Sequence, residues 1–213
     1  MKRTPFAESR YAAAFAGIEG ARRYDARHGR RARRAGQRLA KSLSELGLAA
    51  GRILDAGSAG GHTAIALAEA LPAAKVVGLD LCGPLLELAR ANAEAAGLSG
   101  RVSFAVGDVQ AMPLEAASFD AVLSIDTLHV VGEPVAMLDE CERVLTSDGT
   151  LLLRNIRRSW LGRLDAVFRT AYTTREVREL LARSRLRPWK LRSGPVSLSI
   201  EAGPRTRPPG REA

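Results

Sequence analysis

Asp55-Ala56-Gly57-Ser58-Ala59-Gly60-Gly61 sets a carboxylate two residues ahead of a run of small residues. Glycine takes left-handed turn angles without steric cost and leaves a ligand free to approach the backbone. The helix pattern that starts at His62 aims its free N–H groups into the same gap. Asp80 stands 23 residues past Gly57, at the end of an apolar run, where an acid accepts hydrogen bonds from ribose hydroxyls. Asp108 follows a third strand pattern in Gly107-Asp108-Val109. Each has a plainer reading as well: a tight turn without a ligand, a solvated strand-end acid, a turn aspartate. Asp126 and His129 follow a fourth strand, and His129 is a candidate base near neutral pH. Packing or hydrogen bonding is its other role.

These groups meet only if strands carry them to one edge of a sheet. Arg52–Asp55, Lys75–Asp80, Arg101–Val106 and Ser118–Ile125 read as buried strands. Residues 62–71 form an Ala/Leu helix ended by Pro72, and Pro84 opens a helix that runs to Gly97. Pro134–Leu145 is amphipathic, and the turn Thr146–Gly149 leads into a fifth strand, Thr150–Asn155. Thr173 and Glu176 predict a capping box. Trp189–Arg192 and Val196–Ile200 alternate apolar and polar around Ser193-Gly194-Pro195, the pattern of a closing hairpin. Upstream, Ala21–Leu46 reads as one helix or two, stopped by Gly47. Residues 1–20, with Phe6, Tyr11, Phe15 and Ile18, read as a lid or a fraying arm, and residues 204–213 as a disordered basic tail.

Strand and helix alternation of this kind builds an α/β parallel sheet with its crevice at the carboxyl edge. The spacing argues against NAD, because a dinucleotide fingerprint starting at Gly57 needs glycine at position 59 and glycine or alanine at position 62, where the chain has Ala59 and His62. The pattern instead resembles the first motif of class I S-adenosylmethionine-dependent methyltransferases, D-x-G-x-G-x-G. Asp55, Gly57 and Gly61 match it, and Ala59 departs from it. Gly107-Asp108-Val109-Gln110-Ala111-Met112-Pro113 resembles that family's third motif. Tyr24-Asp25 resembles a pair upstream of the first motif in which the tyrosine folds over the cofactor; an aromatic anchoring a helix is the alternative. The resemblance spans roughly residues 20–202. It implies a Rossmann-like, doubly wound, mainly parallel seven-stranded sheet with a C-terminal antiparallel hairpin and an N-terminal helical extension. One domain is expected over residues 1–203, with 1–47 as the extension and 48–203 as the core. The cofactor would be S-adenosylmethionine, held by Tyr24, Asp55, Gly57, Ser58, Ala59, Gly61, Asp80, Leu81, Asp108, Val109 and Ser124. Asp108 would accept from the adenine amino group, and the Val109 amide would meet a ring nitrogen.

Charge is unevenly placed. Residues 1–50 carry 12 basic and 4 acidic side chains, residues 51–153 carry 5 and 14, and residues 154–213 carry 15 and 5. Basic flanks suit anionic partners, RNA among them, although 28 of the 32 basic residues are arginine, a bias that codon usage also produces. The basic loop Arg154–Leu161 is the candidate for reading an anionic acceptor. Cys82 and Cys141 lie in no CxxC pair, so reduced, buried thiols are expected rather than a disulfide framework or a zinc site. No metal is expected. Neither a membrane-length apolar run nor a signal peptide is evident, which implies a cytoplasmic protein. Three functions follow: methylation of a small molecule, methylation of RNA or protein through the basic flanks, or S-adenosylmethionine binding without catalysis.

Overall fold

The computed structural model describes Arg3, residues 17–160 and residues 167–203. Phe6, Tyr11, Phe15, Leu161 and the tail from Pro204 onward lie outside the described residues, and with them the expected arm and disordered tail.

A strand buried on both faces reads as a continuous apolar run, and the two central strands do so. β1 (Ala50–Ala56) pairs in parallel with β2 (Ala73–Asp80) on one side and with β4 (Phe119–Ile125) on the other. β3 (Val102–Val106) continues past β2, and β5 (Leu145–Ile156) past β4. β6 (Trp189–Ser193) and β7 (Ser197–Ala202) form the expected hairpin, with β7 inserted antiparallel between β5 and β6. The seven strands run in the order β3-β2-β1-β4-β5-β7-β6. The order in which strands are laid down reverses between the parallel β1 and β4, so the crevice that receives ligands opens at their carboxyl ends.

Helices cover both faces. α1 (Gly17–Glu45), α2 (His62–Ala70) and α3 (Gly83–Ala95) lie on one, where Leu43, Ile65 and Leu67 meet Ile53 and Leu123. On the other, α4 (Pro134–Val144) and α6 (Thr174–Arg183) bury Met137, Leu138, Val177 and Leu181 against Leu54, Val122 and Leu151. The short α5 (Val167–Thr170) precedes α6. The stretch expected over Ala21–Leu46 falls within one helix as far as Glu45, and that helix sits close to α2 because its inner stripe is small. A Cβ on Gly36 would lie 2.8 Å from the Thr63 carbonyl oxygen, and one on Gly29 would lie 2.7 Å from His62 Cδ2. Of the charged side chains of α1, Asp25 and Arg33 reach α2, where they meet His62 and Glu69.

Two expectations need correction. The turn at Thr146–Gly149 is absorbed into β5, which already pairs at Leu145 with Phe119 and resumes at Thr150 opposite Ala121 through an irregular register. The small Gly149 lets the extra residues fold back, since a Cβ there would lie 2.8 Å from Leu145 Cδ2. Cys141 is buried but Cys82 is only partly so, because it sits on the loop that caps α3.

Thr173 caps α6 as expected: its hydroxyl accepts from the Glu176 N–H while the Glu176 carboxylate accepts from the Thr173 N–H. Glu176 also takes an ion pair from Arg158. Thr173→Ala should lower unfolding stability by about 1 kcal/mol, read from denaturant midpoints at an unchanged m-value; no change would mean that Arg158 alone positions Glu176.

Candidate functional site

The turn after β1 is built from left-handed residues. Gly57 has φ 86°, Ala59 45° and Gly61 78°. The Leu79 carbonyl on β2 accepts from both Gly57 N–H (2.8 Å) and Ser58 N–H (3.1 Å), which clamps the turn across the strand ends. Glycine at 57 is required twice over, by its angle and because a Cβ would lie within 2.7 Å of Thr127 Cγ2 and closer still to the hydroxyl. At Gly61 a Cβ would strike Phe104 Cζ at 2.7 Å and Ala89 at 2.9 Å, so glycine there lets α2 and α3 close on the sheet. Ala59, the departure from the motif, accepts its left-handed angle because its N–H donates to Asp80 Oδ2 at 2.8 Å, a charge-assisted bond that offsets the roughly 1 kcal/mol strain.

Four carboxylates surround this turn. Asp55 is 1% exposed beneath it, and its Oδ2, like the buried Ser58 hydroxyl, has no partner. Burial, helped by the nearby Asp80, pushes its carboxyl up to about 7. Asp80 is tied to the Ala59 and Cys82 N–H groups, and burial raises it too. Asp25, on α1, holds His62 Nε2 at 3.0 and 3.1 Å and fills the space left by Gly60. Asp126 is the fourth. Tyr24 stands among them: burial first, then the charges of Asp126 and Asp80, push its phenol up to about 12. Its ring packs on His28 with centroids 4.5 Å apart. Tyr24 therefore roofs the turn, and Asp25 pins that roof to α2.

The remaining expected positions divide. Leu81 (69% exposed) and Val106 (54%) leave apolar surface bare at the carboxyl ends of β2 and β3. Asp108 lies beside them, its carboxylate tied to the Gln110 backbone and side-chain amides at 2.8–3.0 Å, and Val109 is buried. Ser124 is buried with its hydroxyl given to the Ala56 carbonyl at 2.8 Å, which joins β4 to β1. Asp126 has φ 55° and accepts from the Ile156 N–H at 2.7 Å, with Arg31 of α1 at 3.3 Å. His129 is buried, its Nδ1 3.0 Å from Asn155 Oδ1, and burial lowers its pKa, which keeps the ring neutral. Asp126 and His129 are thus held by β5 in hydrogen-bonding roles. Among the described residues no group of three or more His, Cys, Asp or Glu gathers as metal ligands would.

A cleft of about 490 Å³ lies between α1 and the turn, lined by Tyr24, Gly57, Ser58, Ala59, Asp126 and arginines of α1. Sequence reading missed those arginines as a wall of the cleft; their signal was the spacing of Gly29 and Gly36, which fixes the face α1 turns inward. The basic loop is sorted by its partners. Arg157 donates to the Pro195 carbonyl and Arg158 to Glu176 and the Ala171 carbonyl, so only Arg154 of the three faces the cleft.

The family described as "Methyltransferase domain" matches residues 49–185. The chain is 36% identical over 134 residues to a demethylmenaquinone methyltransferase of Deinococcus radiodurans, covering 63% of this chain and 55% of that one. It is 32% identical over 136 residues to a ubiquinone biosynthesis O-methyltransferase of Psychrobacter arcticus, covering 63% and 52%. The chain thus spans about half the length of these curated relatives. In fold it resembles the crystal structure of a SAM-dependent methyltransferase from Aquifex aeolicus, with TM-score 0.67 and 21% identity over 76% of this chain and 87% of that one.

Proposed function

Because the chain belongs to the methyltransferase-domain family, we propose that it is an S-adenosylmethionine-dependent methyltransferase acting on a small-molecule acceptor. The observation that carries this reading is the turn itself: backbone left open by glycine, with carboxylates beneath and beside it and two buried oxygens, Asp55 Oδ2 and Ser58 Oγ, without partners. That donor set suits a ligand with positive ammonium and sulfonium groups, and it repels the pyrophosphate of a dinucleotide. In this reading Gly57–Gly61 and Asp55 hold the amino-acid end of the cofactor. Asp80 holds the ribose, and Leu81, Asp108 and Val109 hold the adenine. Tyr24 closes the roof, while Ser124 supports the site by joining β4 to β1. The sheet with α2 to α6 forms the core, and α1 contributes the roof.

The bound cofactor supplies an activated methyl group on a sulfonium leaving group. The chain's own part is positional. Tyr24 and Asp25 keep water from the turn, and Asp126 and its neighbours hold the edge of the cleft where an acceptor enters. Asp126 is tied to the Ile156 N–H and Arg31, and His129 is buried with Nδ1 on Asn155, an arrangement that favours catalysis by alignment. Quinone methylation by the relatives supports a small-molecule acceptor. No helix among the described residues is long and apolar enough to cross a membrane, and a cytoplasmic location belongs to the same proposal.

Calorimetry with S-adenosylmethionine, S-adenosylhomocysteine and NAD tests this reading. Roughly micromolar binding of the first two, lost in both Asp80→Ala and Asp108→Ala, is expected. A preference for NAD, or no binding by wild type, would overturn it.

A further inference from the structure

The basic residues of α1 divide by whether they have an acidic partner. Four are paired with acids: Arg23 with Glu19 at 3.8 Å, Arg31 with Asp126 at 3.3 Å, Arg33 with Glu69 at 2.6 Å and Lys41 with Glu45 at 3.8 Å. On the cleft face, Arg30, Arg34 and Arg38 follow at four-residue intervals, and among the described residues none has a side-chain hydrogen bond or ion pair. Like charges at that spacing repel one another on a helix surface. The acids lining the two hollows have partners of their own: Asp25 holds His62, Asp126 holds the Ile156 N–H and Arg31, Glu45 pairs with Lys41 and Glu201 lies opposite Lys190.

Opposite this stripe stands Arg154, half-buried on β5 and likewise without a side-chain partner among the described residues. Its N-terminal neighbours are apolar, so its guanidinium is held at the sheet's carboxyl edge. Arg38 and Arg154 also line a second groove of about 640 Å³ between the end of α1 and the exposed face of β5, β7 and β6, which adds Lys190 and Arg192. Lys190 lies opposite Glu201 in register. The strongest uncompensated charge therefore sits where the two hollows join, beside Asp126 and the turn.

Arginine forks match the oxygens of a phosphate in paired, charge-assisted hydrogen bonds. A single strand of nucleic acid also needs faces on which bases stack. Among the described residues Tyr24 is the one aromatic ring besides His28 and His62 lining either hollow, and it lines the hollow that holds the turn. We propose that Arg34, Arg38 and Arg154 bind a phosphate or diphosphate group carried by a small acceptor, which places the acceptor's reactive end toward the turn. This rests on the methyltransferase reading and names its substrate class.

The test is calorimetric titration of the full chain with inorganic pyrophosphate, and separately with S-adenosylhomocysteine. Arg34→Gln/Arg38→Gln is compared with a control of equal charge loss on outer faces, Arg22→Gln/Arg178→Gln. Pyrophosphate should bind wild type and control alike and the cluster variant about tenfold more weakly or worse, with S-adenosylhomocysteine affinity unchanged in all three. No binding by wild type, or equal weakening in both variants, overturns the site. A matching loss of S-adenosylhomocysteine assigns the arginines to the cofactor, and displacement of pyrophosphate by a short single-stranded RNA assigns them to nucleic acid; either outcome overturns the proposal. If wild type fails to bind S-adenosylhomocysteine but the arginine-dependent pyrophosphate binding holds, it is the methyltransferase reading that fails.

Discussion

Gly57→Ala is expected to abolish measurable S-adenosylhomocysteine binding and to lower folding stability by about 2–5 kcal/mol. Two effects add. A left-handed angle costs an L-residue about 1–2 kcal/mol, and Gly57 has φ 86°. The new methyl also enters space filled by Thr127, whose Cγ2 would lie 2.7 Å away, and overpacking of this kind costs about 1–3 kcal/mol. Thr127 yields poorly because it is β-branched and its single hydroxyl proton is shared between the carbonyls of Ala56 (3.3 Å) and Ile125 (3.2 Å). Relief by backbone movement would pull Gly57 and Ser58 off the Leu79 carbonyl and open the turn. Gly47→Ala isolates the first effect, since Gly47 has φ 81° and open space around it. Denaturant unfolding of both variants and of Gly57→Ala/Thr127→Ala separates strain from crowding. The double variant should recover part of the loss, and a Gly57→Ala protein no less stable than Gly47→Ala would refute the packing.

What the sequence made legible follows the range of the interactions involved. The Thr173–Glu176 box, the strand that ends at Asp80 and the hairpin at Gly194 are local patterns, and the fold reproduces each. Ser124 could be seen as a hydroxyl inside an apolar strand, but its acceptor is the carbonyl of Ala56, 68 residues earlier, so its role depended on which strands became neighbours. Arg154, Arg157 and Arg158 looked equivalent in a charge run. They are separated by Glu176 and by the Pro195 carbonyl, acceptors that only tertiary structure brings near. Ala59 stood out against the family pattern, yet its compensation by Asp80 needed the return of the chain from β2. On α1 the helical spacing was readable, but which stripe faces the cleft was decided by the close approach at Gly29 and Gly36.

Asp55 yields the second large effect, expressed as a dependence on pH. Burial and the neighbouring Asp80 move its carboxyl from 3.8 up to about 7, so the native protein keeps a proton that the unfolded chain releases. Between about pH 4 and pH 7 the unfolded state binds fewer protons than the native one, and stability falls as pH rises, by about 1.4 kcal/mol per unit. Above about pH 7 both states are ionised and the loss, at most about 4 kcal/mol, is complete. Asp55→Asn stays neutral throughout. It should be less stable than wild type at pH 4, by about 1 kcal/mol for the unpartnered amide, and more stable at pH 8. His129 titrates in both proteins and cancels in the difference between the two unfolding curves, which reports Asp55 together with its coupling to Asp80; a difference that does not vary with pH would refute the buried state of Asp55. An ionised carboxylate with one oxygen unpartnered beneath the turn is stabilised by a positive ligand above it. Under the proposed function, S-adenosylmethionine should therefore raise the thermal midpoint of wild type at pH 8 by more than it raises that of Asp55→Asn.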